Sequence, residues 1–100
     1  MDTIVLEVND NEFLRQFETT IENQKAVIEY ATQPRSVFLT KLIMDESLID
    51  KGYDELFIKT VFEIIDQRNT RMVPTCPKIA SYFKKNRRKY KALLPVGMSL

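Results

Sequence analysis

The period of the apolar residues changes at Asp45-Glu46-Ser47, and that change dictates the order in which the chain lays down its secondary structure. Before it, short runs rich in β-branched and aliphatic residues are separated by turn-forming clusters, the pattern of a β-meander. Thr3 to Val8 reads as a first strand closed by the turn cluster Asn9-Asp10-Asn11. Phe13, Phe17 and Ile21 fit one face of a strand, while Phe13, Leu14, Phe17 and Ile21 fit a helical stripe, so periodicity leaves this segment open. Asn23-Gln24 reads as a tight turn, Ala26 to Tyr30 as a strand, Gln33-Pro34 as a break and Val37 to Met44 as another strand.

Beyond the change, Tyr53, Phe57, Val61, Ile64 and Ile65 recur at helical spacing through Arg68. Asp54 and Glu55 fall in the first turn, where negative charge complements the helix dipole. Asn69-Thr70 ends this helix, and Arg71 to Thr75 follows as a short strand whose pairing Pro74 weakens. Pro77 suits the first turn of a second helix that turns Ile79, Ala80 and Phe83 inward and runs on into Lys84, Lys85, Arg87, Arg88 and Lys89; Leu93, Leu94 and Val96 close the chain. Strands, long helix, strand, helix is the order of an α/β or α+β layer, with helices covering a mainly antiparallel sheet. One hundred residues make a single domain over 1–100.

Composition narrows the chemistry. Histidine is absent and Cys76 is the only cysteine, which removes the commonest general base and disfavours a zinc site. With one thiol the chain cannot staple itself, so a reducing, cytoplasmic compartment is expected. No uncharged stretch approaches the ~18 to 20 apolar residues of a membrane span, and Asp2, Glu7 and Asp10 stand where a signal peptide would be basic and apolar, so export is not expected. The formal charge of +1 conceals a dipole along the sequence. Residues 1–66 carry all 14 acids and six bases, a sum of −8, whereas residues 67–100 carry nine bases and no acid, a sum of +9. Such a split either ties the halves together or offers a basic face to an anion.

Three stretches together resemble the short, roughly 100-residue branch of the GNAT superfamily of acetyl-coenzyme A-dependent N-acetyltransferases. Phe17-Glu18 followed by Ala26 and Glu29-Tyr30 is similar to that branch's F-E, turn, A-x-x-E-Y hairpin. Thr40 through Leu56 is similar in place to its strand, acidic break, glycine loop and helix. Val73-Pro74-Thr75-Cys76-Pro77, with Tyr82 and a basic stretch ending at Tyr90, resembles its V-P-x-C-P strand end, helix and H-P-x-Y closing segment. The resemblance spans about residues 12 to 94, and V-P-x-C-P is its most specific part. It implies a GNAT-like α/β domain: a curved, mainly antiparallel sheet of five or six strands, a long helix at about 53 to 68 and a C-terminal helix from about 77.

The resemblance also implies a site. The family loop R-G-x-G-x-G, which holds the coenzyme A pyrophosphate on backbone amides at a helix start, corresponds here to Ile49-Asp50-Lys51-Gly52-Tyr53-Asp54. Only Gly52 remains of its glycines, and Asp50 and Asp54 would face phosphate with like charge, partly offset by Lys51. Met44 falls where a backbone N–H polarises the thioester carbonyl, a role indifferent to the side chain, and the family's histidine and glutamate on this strand appear as Lys41 and Ile43. Cys76 falls close to the acetyl thioester, and a helix N-terminus would favour its thiolate; the residue type on its own reads as an inert buried cysteine. Asn86 corresponds to the closing histidine and Arg87 to the proline after it, with one extra residue before Tyr90.

For the proton released by an attacking amine, the residues offer Glu29, Tyr30, Tyr90 or water. Lys84 to Lys91 reads as a solvated helix face, as contacts to the coenzyme A phosphates or as a nucleic-acid surface; with only Tyr82 and Tyr90 nearby and no tryptophan, nucleic acid is the least favoured. The expected activity is acetyl transfer from coenzyme A to an amine, with a catalytically silent binding module of the same fold as the alternative. A homodimer is left open.

Overall fold

A reversal with positive φ at Glu22 (51°) and Asn23 (64°) sets the register of the central hairpin, since two left-handed residues match the twist of the flanking strands. The computed structural model describes residues 6–95. This reversal joins β2 (Gln16–Ile21) to β3 (Gln24–Gln33), and the turn at Pro34-Arg35 joins β3 to β4 (Ser36–Ile43). β1 (Asn9–Asn11) pairs with β2 at one edge, and β5 (Arg71–Pro74) closes the other, giving the order β1-β2-β3-β4-β5. Every pair is antiparallel except β4 with β5, which run parallel. Parallel neighbours need a crossover. It is made by α1 (Glu46–Asp50) and α2 (Tyr53–Gln67). After β5 come α3 (Pro77–Lys85), α4 (Arg87–Tyr90) and a 3₁₀ turn over Lys91–Leu93. The mixed α/β architecture with a mostly antiparallel open sheet is the expected one.

One face of the sheet carries the core. Phe17 pairs with Ile28 and Thr19 with Ala26, and these side chains are buried together with Tyr30 and Leu39. Against them pack Phe57, Ile58, Val61, Phe62 and Ile65 of α2 and Ile79 and Phe83 of α3. The helical stripe read from the sequence held Phe57, Val61 and Ile65; Ile58 and Phe62 widen it, while Tyr53 and Ile64 are half-buried.

Several expectations need correction. Of the strand read at Thr3 to Val8, residues 3–5 lie outside the described residues and Leu6 to Val8 are not strand. The edge strand is Asn9–Asn11, read from its asparagines as a turn. Tertiary partners override that propensity. The Asn11 amide donates to Glu18 (3.1 Å), while Asp10 accepts from the Tyr30 hydroxyl (2.5 Å) and from the Arg68 guanidinium (2.6 Å). A three-residue polar strand also blunts the open edge of the sheet. The open choice between strand and helix at Phe13–Ile21 resolves as a turn at residues 12–15 followed by strand. The Leu14 N–H caps on the Asn11 carbonyl oxygen of the side chain (3.0 Å), leaving Phe13 93% exposed and outside either stripe. Asp45-Glu46-Ser47 is a helix start rather than a break: Asp45 accepts from the Ser47 N–H (3.0 Å) and hydroxyl (2.5 Å), bonds that hold its carboxyl below the usual aspartate range. The second helix does not run through the basic stretch; it stops at Lys85, and Asn86 separates it from α4. Leu93 and Leu94 are buried as chain-closing apolar residues, and Val96 lies outside the described residues.

Candidate functional site

The parallel pair β4–β5 does not stay together. Its register runs Ser36↔Arg71 to Leu39↔Pro74 and then stops, although β4 continues to Ile43. The cause lies in β5, whose proline lacks a ladder donor and whose chain enters α3 three residues later. The parting is tied off at one atom: the Leu39 carbonyl accepts from the Thr75 N–H (3.0 Å), the Cys76 N–H (3.1 Å) and the Thr75 hydroxyl (3.0 Å). On the other side β4 bulges. Glu29 pairs with Lys41 and Tyr30 with Leu39, so Thr40 is the extra residue, and its hydroxyl donates to the Glu29 carbonyl (3.2 Å). Beyond Leu39 the two strands are no longer paired, so Thr40–Ile43 and the start of α3 diverge at the carboxyl ends of the parallel pair, the place where open α/β sheets hold their ligands.

Both principal helices begin at this end of the sheet. Met44 follows the last paired residue of β4 and is half-buried against the core. Cys76 is the N-cap of α3, with its carbonyl accepting from the Ala80 N–H (2.8 Å); its free thiol is buried, 8% exposed, and makes no capping bond. Gly52 is the N-cap of α2 at φ 86°, with no side chain to cap the first amides. Those amides have no partner within the helix, and a methyl group added at Gly52 would meet nothing within 4 Å. An open approach to uncapped amides fits a phosphate group. Asp54 and Glu55 in the same turn oppose one.

The loop expected at Ile49 to Asp54 is mostly helix. Ile49 and Asp50 belong to α1, and only Lys51-Gly52 remains as a turn before α2. Asp45 at the cap and Leu48, fully buried, explain why: the segment has its own anchor in the core. Lys51 is held by Glu22 of the β2–β3 turn (2.8 Å), which raises its ammonium above the ordinary lysine value. Both partners are about half exposed, so the pair is weak and its lysine free to exchange.

The residues named at the C-terminal end lie away from the parting of the strands. Asn86 caps α3 and donates to the Tyr82 carbonyl (3.0 Å). Arg87 opens α4, and Lys84 through Lys89 line a hollow of about 560 Å³. The bend at Asn86 makes this basic surface concave. Lys85 reaches back to pair with Glu55 at the start of α2, joining the two helices across their exposed side.

Among the proton acceptors, Tyr30 and Tyr90 are poorly placed. Burial first, then the hydrogen bond to Asp10, pushes the Tyr30 phenol far above its ordinary value. The Tyr90 hydroxyl is buried beside Tyr82, with no well-formed hydrogen bond among the described residues. Like Tyr30, Tyr82 is pushed up, first by burial, then by the neighbouring Tyr90 hydroxyl and the carboxylates Glu55 and Glu63. Glu29 differs. In register with Gln16 and Lys41, it lies on the sheet face opposite Phe17 and Tyr30, half-buried at the bulge beside the parting of β4 from β5. The Leu39 carbonyl and the Thr40 bulge had no sequence signal, because both are consequences of pairing.

A mixed, mostly antiparallel open sheet that parts between its two parallel strands, with a helix start on each side of the gap, is consistent with a GNAT-like α/β fold. The sequence model for the GCN5-related N-acetyl-transferase family matches residues 16–93. The chain belongs to that family. Compared with curated proteins, it has no match. No helix among the described residues is long and apolar enough to cross a membrane.

Proposed function

We propose that this domain transfers an acetyl group from acetyl-coenzyme A to an amine by direct attack on the thioester. The observation that carries the reading is the parting of β4 from β5 at Leu39 and Pro74, beside the uncapped start of α2. Family membership supports the same reaction class. Coenzyme A supplies the activated acetyl thioester; everything else falls to this chain. The first amides of α2, Tyr53 and Asp54, take the pyrophosphate where Gly52, whose own N–H is bonded to the Ile49 carbonyl, leaves the approach open, and Lys51 leaves Glu22 to neutralise it. Asn86 and Arg87 contact the remaining phosphate. The Met44 N–H polarises the thioester carbonyl, and the buried Cys76 walls the acetyl path without forming a covalent bond. Glu29 takes the proton the amine sheds as its nitrogen bonds the acetyl carbon and the carbon–sulfur bond breaks.

The test is calorimetric titration of acetyl-coenzyme A into the full chain, followed by mass spectrometry of a panel of amines incubated with both. Micromolar binding and an acetylated amine support the reading, with Glu29→Gln lowering turnover while leaving acetyl-coenzyme A affinity intact. No heat at millimolar ligand overturns it and favours a silent binding module, the outcome to which Asp50 and Asp54 point.

A further inference from the structure

A second hollow lies at the opposite end of the β4–β5 pair, where the two strands begin. It measures about 750 Å³, within the range of small-molecule sites. It lies between the β3–β4 turn and the turn joining α2 to β5, and Arg35 and Arg71 stand on its two sides. The strands bring them together: Ser36↔Arg71 is the first rung of the parallel ladder, and the Arg71 N–H donates to the Arg35 carbonyl (3.2 Å). The Arg71 guanidinium also donates to the Ala92 carbonyl, which fixes its direction. Arg35 has no ion pair among the described residues. No carboxylate is among the described residues lining the hollow, while Thr32, Ser36 and Thr70 bring hydroxyls, and Pro34 and Val37 bring apolar wall.

We propose that this hollow binds a small organic oxyanion, a phosphate ester or a polycarboxylate, at a site separate from the parting of the strands. Two guanidinium groups with no carboxylate among the described lining residues, one of them oriented by the Ala92 carbonyl, match planar or tetrahedral oxyanions. The site is some 10 Å along the strands from the parting at Leu39, by the rise per residue of a β-strand. A ligand held by Arg35 and Arg71 ties β4 to β5 at their closed end, so it raises the melting temperature.

The experiment titrates the full chain with inorganic pyrophosphate and, separately, with citrate, reading amide proton–nitrogen shifts and the melting temperature. Saturating shifts at residues 32–37 and 69–71 with either probe are expected, and the stronger probe tells phosphate from carboxylate. Arg35→Gln, an exposed change, leaves the unliganded melting temperature unaltered and weakens binding by about tenfold or more. Shifts confined to Lys84–Lys89 or the start of α2, saturation only above about 10 mM, or an Arg35→Gln protein that binds as well as the parent overturns the proposal. Acetyl-coenzyme A shifts fall at the other end of the sheet, so the two readings fail independently.

Discussion

Gly52→Ala separates the backbone requirement at the start of α2 from the ligand requirement. Gly52 holds φ at 86°, and an added methyl group meets no atom within 4 Å, so the substitution brings conformational strain without a clash. An L-residue in the left-handed region costs ~1 to 2 kcal/mol, and the stiffer unfolded chain returns ~0.4 to 1 kcal/mol. The net loss is ~1 kcal/mol, equivalent to a fall of ~4 to 8 °C in Tm for a domain of this size. The methyl group would also project into the space the pyrophosphate needs, so acetyl-coenzyme A affinity falls about tenfold, equivalent to ~1.4 kcal/mol. Thermal melts and calorimetric titrations on one preparation measure both. Gly52→Asn is the control, because asparagine tolerates the left-handed region: it recovers much of the Tm but not the affinity. An unchanged or raised Tm in Gly52→Ala refutes the strain argument. A lowered Tm with unchanged affinity refutes the placement of the pyrophosphate.

Asp54→Asn removes a carboxylate from the first turn of α2, so the domain loses ~0.3 to 1 kcal/mol of dipole stabilisation while acetyl-coenzyme A binds several-fold tighter, a gain that shrinks as salt rises; denaturation and calorimetry at two ionic strengths check the opposite signs. Tyr90→Phe deletes a buried hydroxyl with no well-formed hydrogen bond among the described residues, and urea denaturation is expected to show stability unchanged or raised by up to ~1 kcal/mol, whereas a loss would reveal a hydrogen bond to Tyr82. Tyr30 and Tyr82 have phenols raised above the ordinary value of 10.0, so the folded chain keeps protons that the unfolded chain releases. Stability is full below about pH 10 and falls as the pH climbs beyond it; Tyr30→Phe and Tyr82→Phe each flatten that alkaline limb in denaturation curves taken from pH 8 to 11.

Legibility tracked how local each signal was. The long helix was plain from Phe57, Val61 and Ile65, whose spacing repeats within the segment itself, and its observed span of Tyr53–Gln67 ends within a residue of the expected one. Pro77 marked the start of α3 for an equally local reason. Asn9–Asn11 became a strand against its own propensity because Glu18, Tyr30 and Arg68 converge on it from distant parts of the chain. α1 escaped notice because its five residues carry no period, only the Asp45 cap and the buried Leu48. Of the candidate site, Gly52 and Cys76 were visible as residue types at helix starts. Their chemistry was not: the ion pair of Lys51 with Glu22 joins positions that no window of sequence compares.

The sequence by itself determined the fold class, the long helix and the start of α3, the absence of histidine and the segregation of basic charge toward the C-terminal third, since each depends on residues within a few positions or on a count. Only the tertiary structure decided where β4 leaves β5, which carbonyl ties the parting, which face Glu29 occupies and which two arginines meet at the closed end. The face of Glu29 is set by pairing with strands about a dozen residues away and the other features by hydrogen bonds across more than thirty residues, and a ladder's register is a property of the pair rather than of either strand alone.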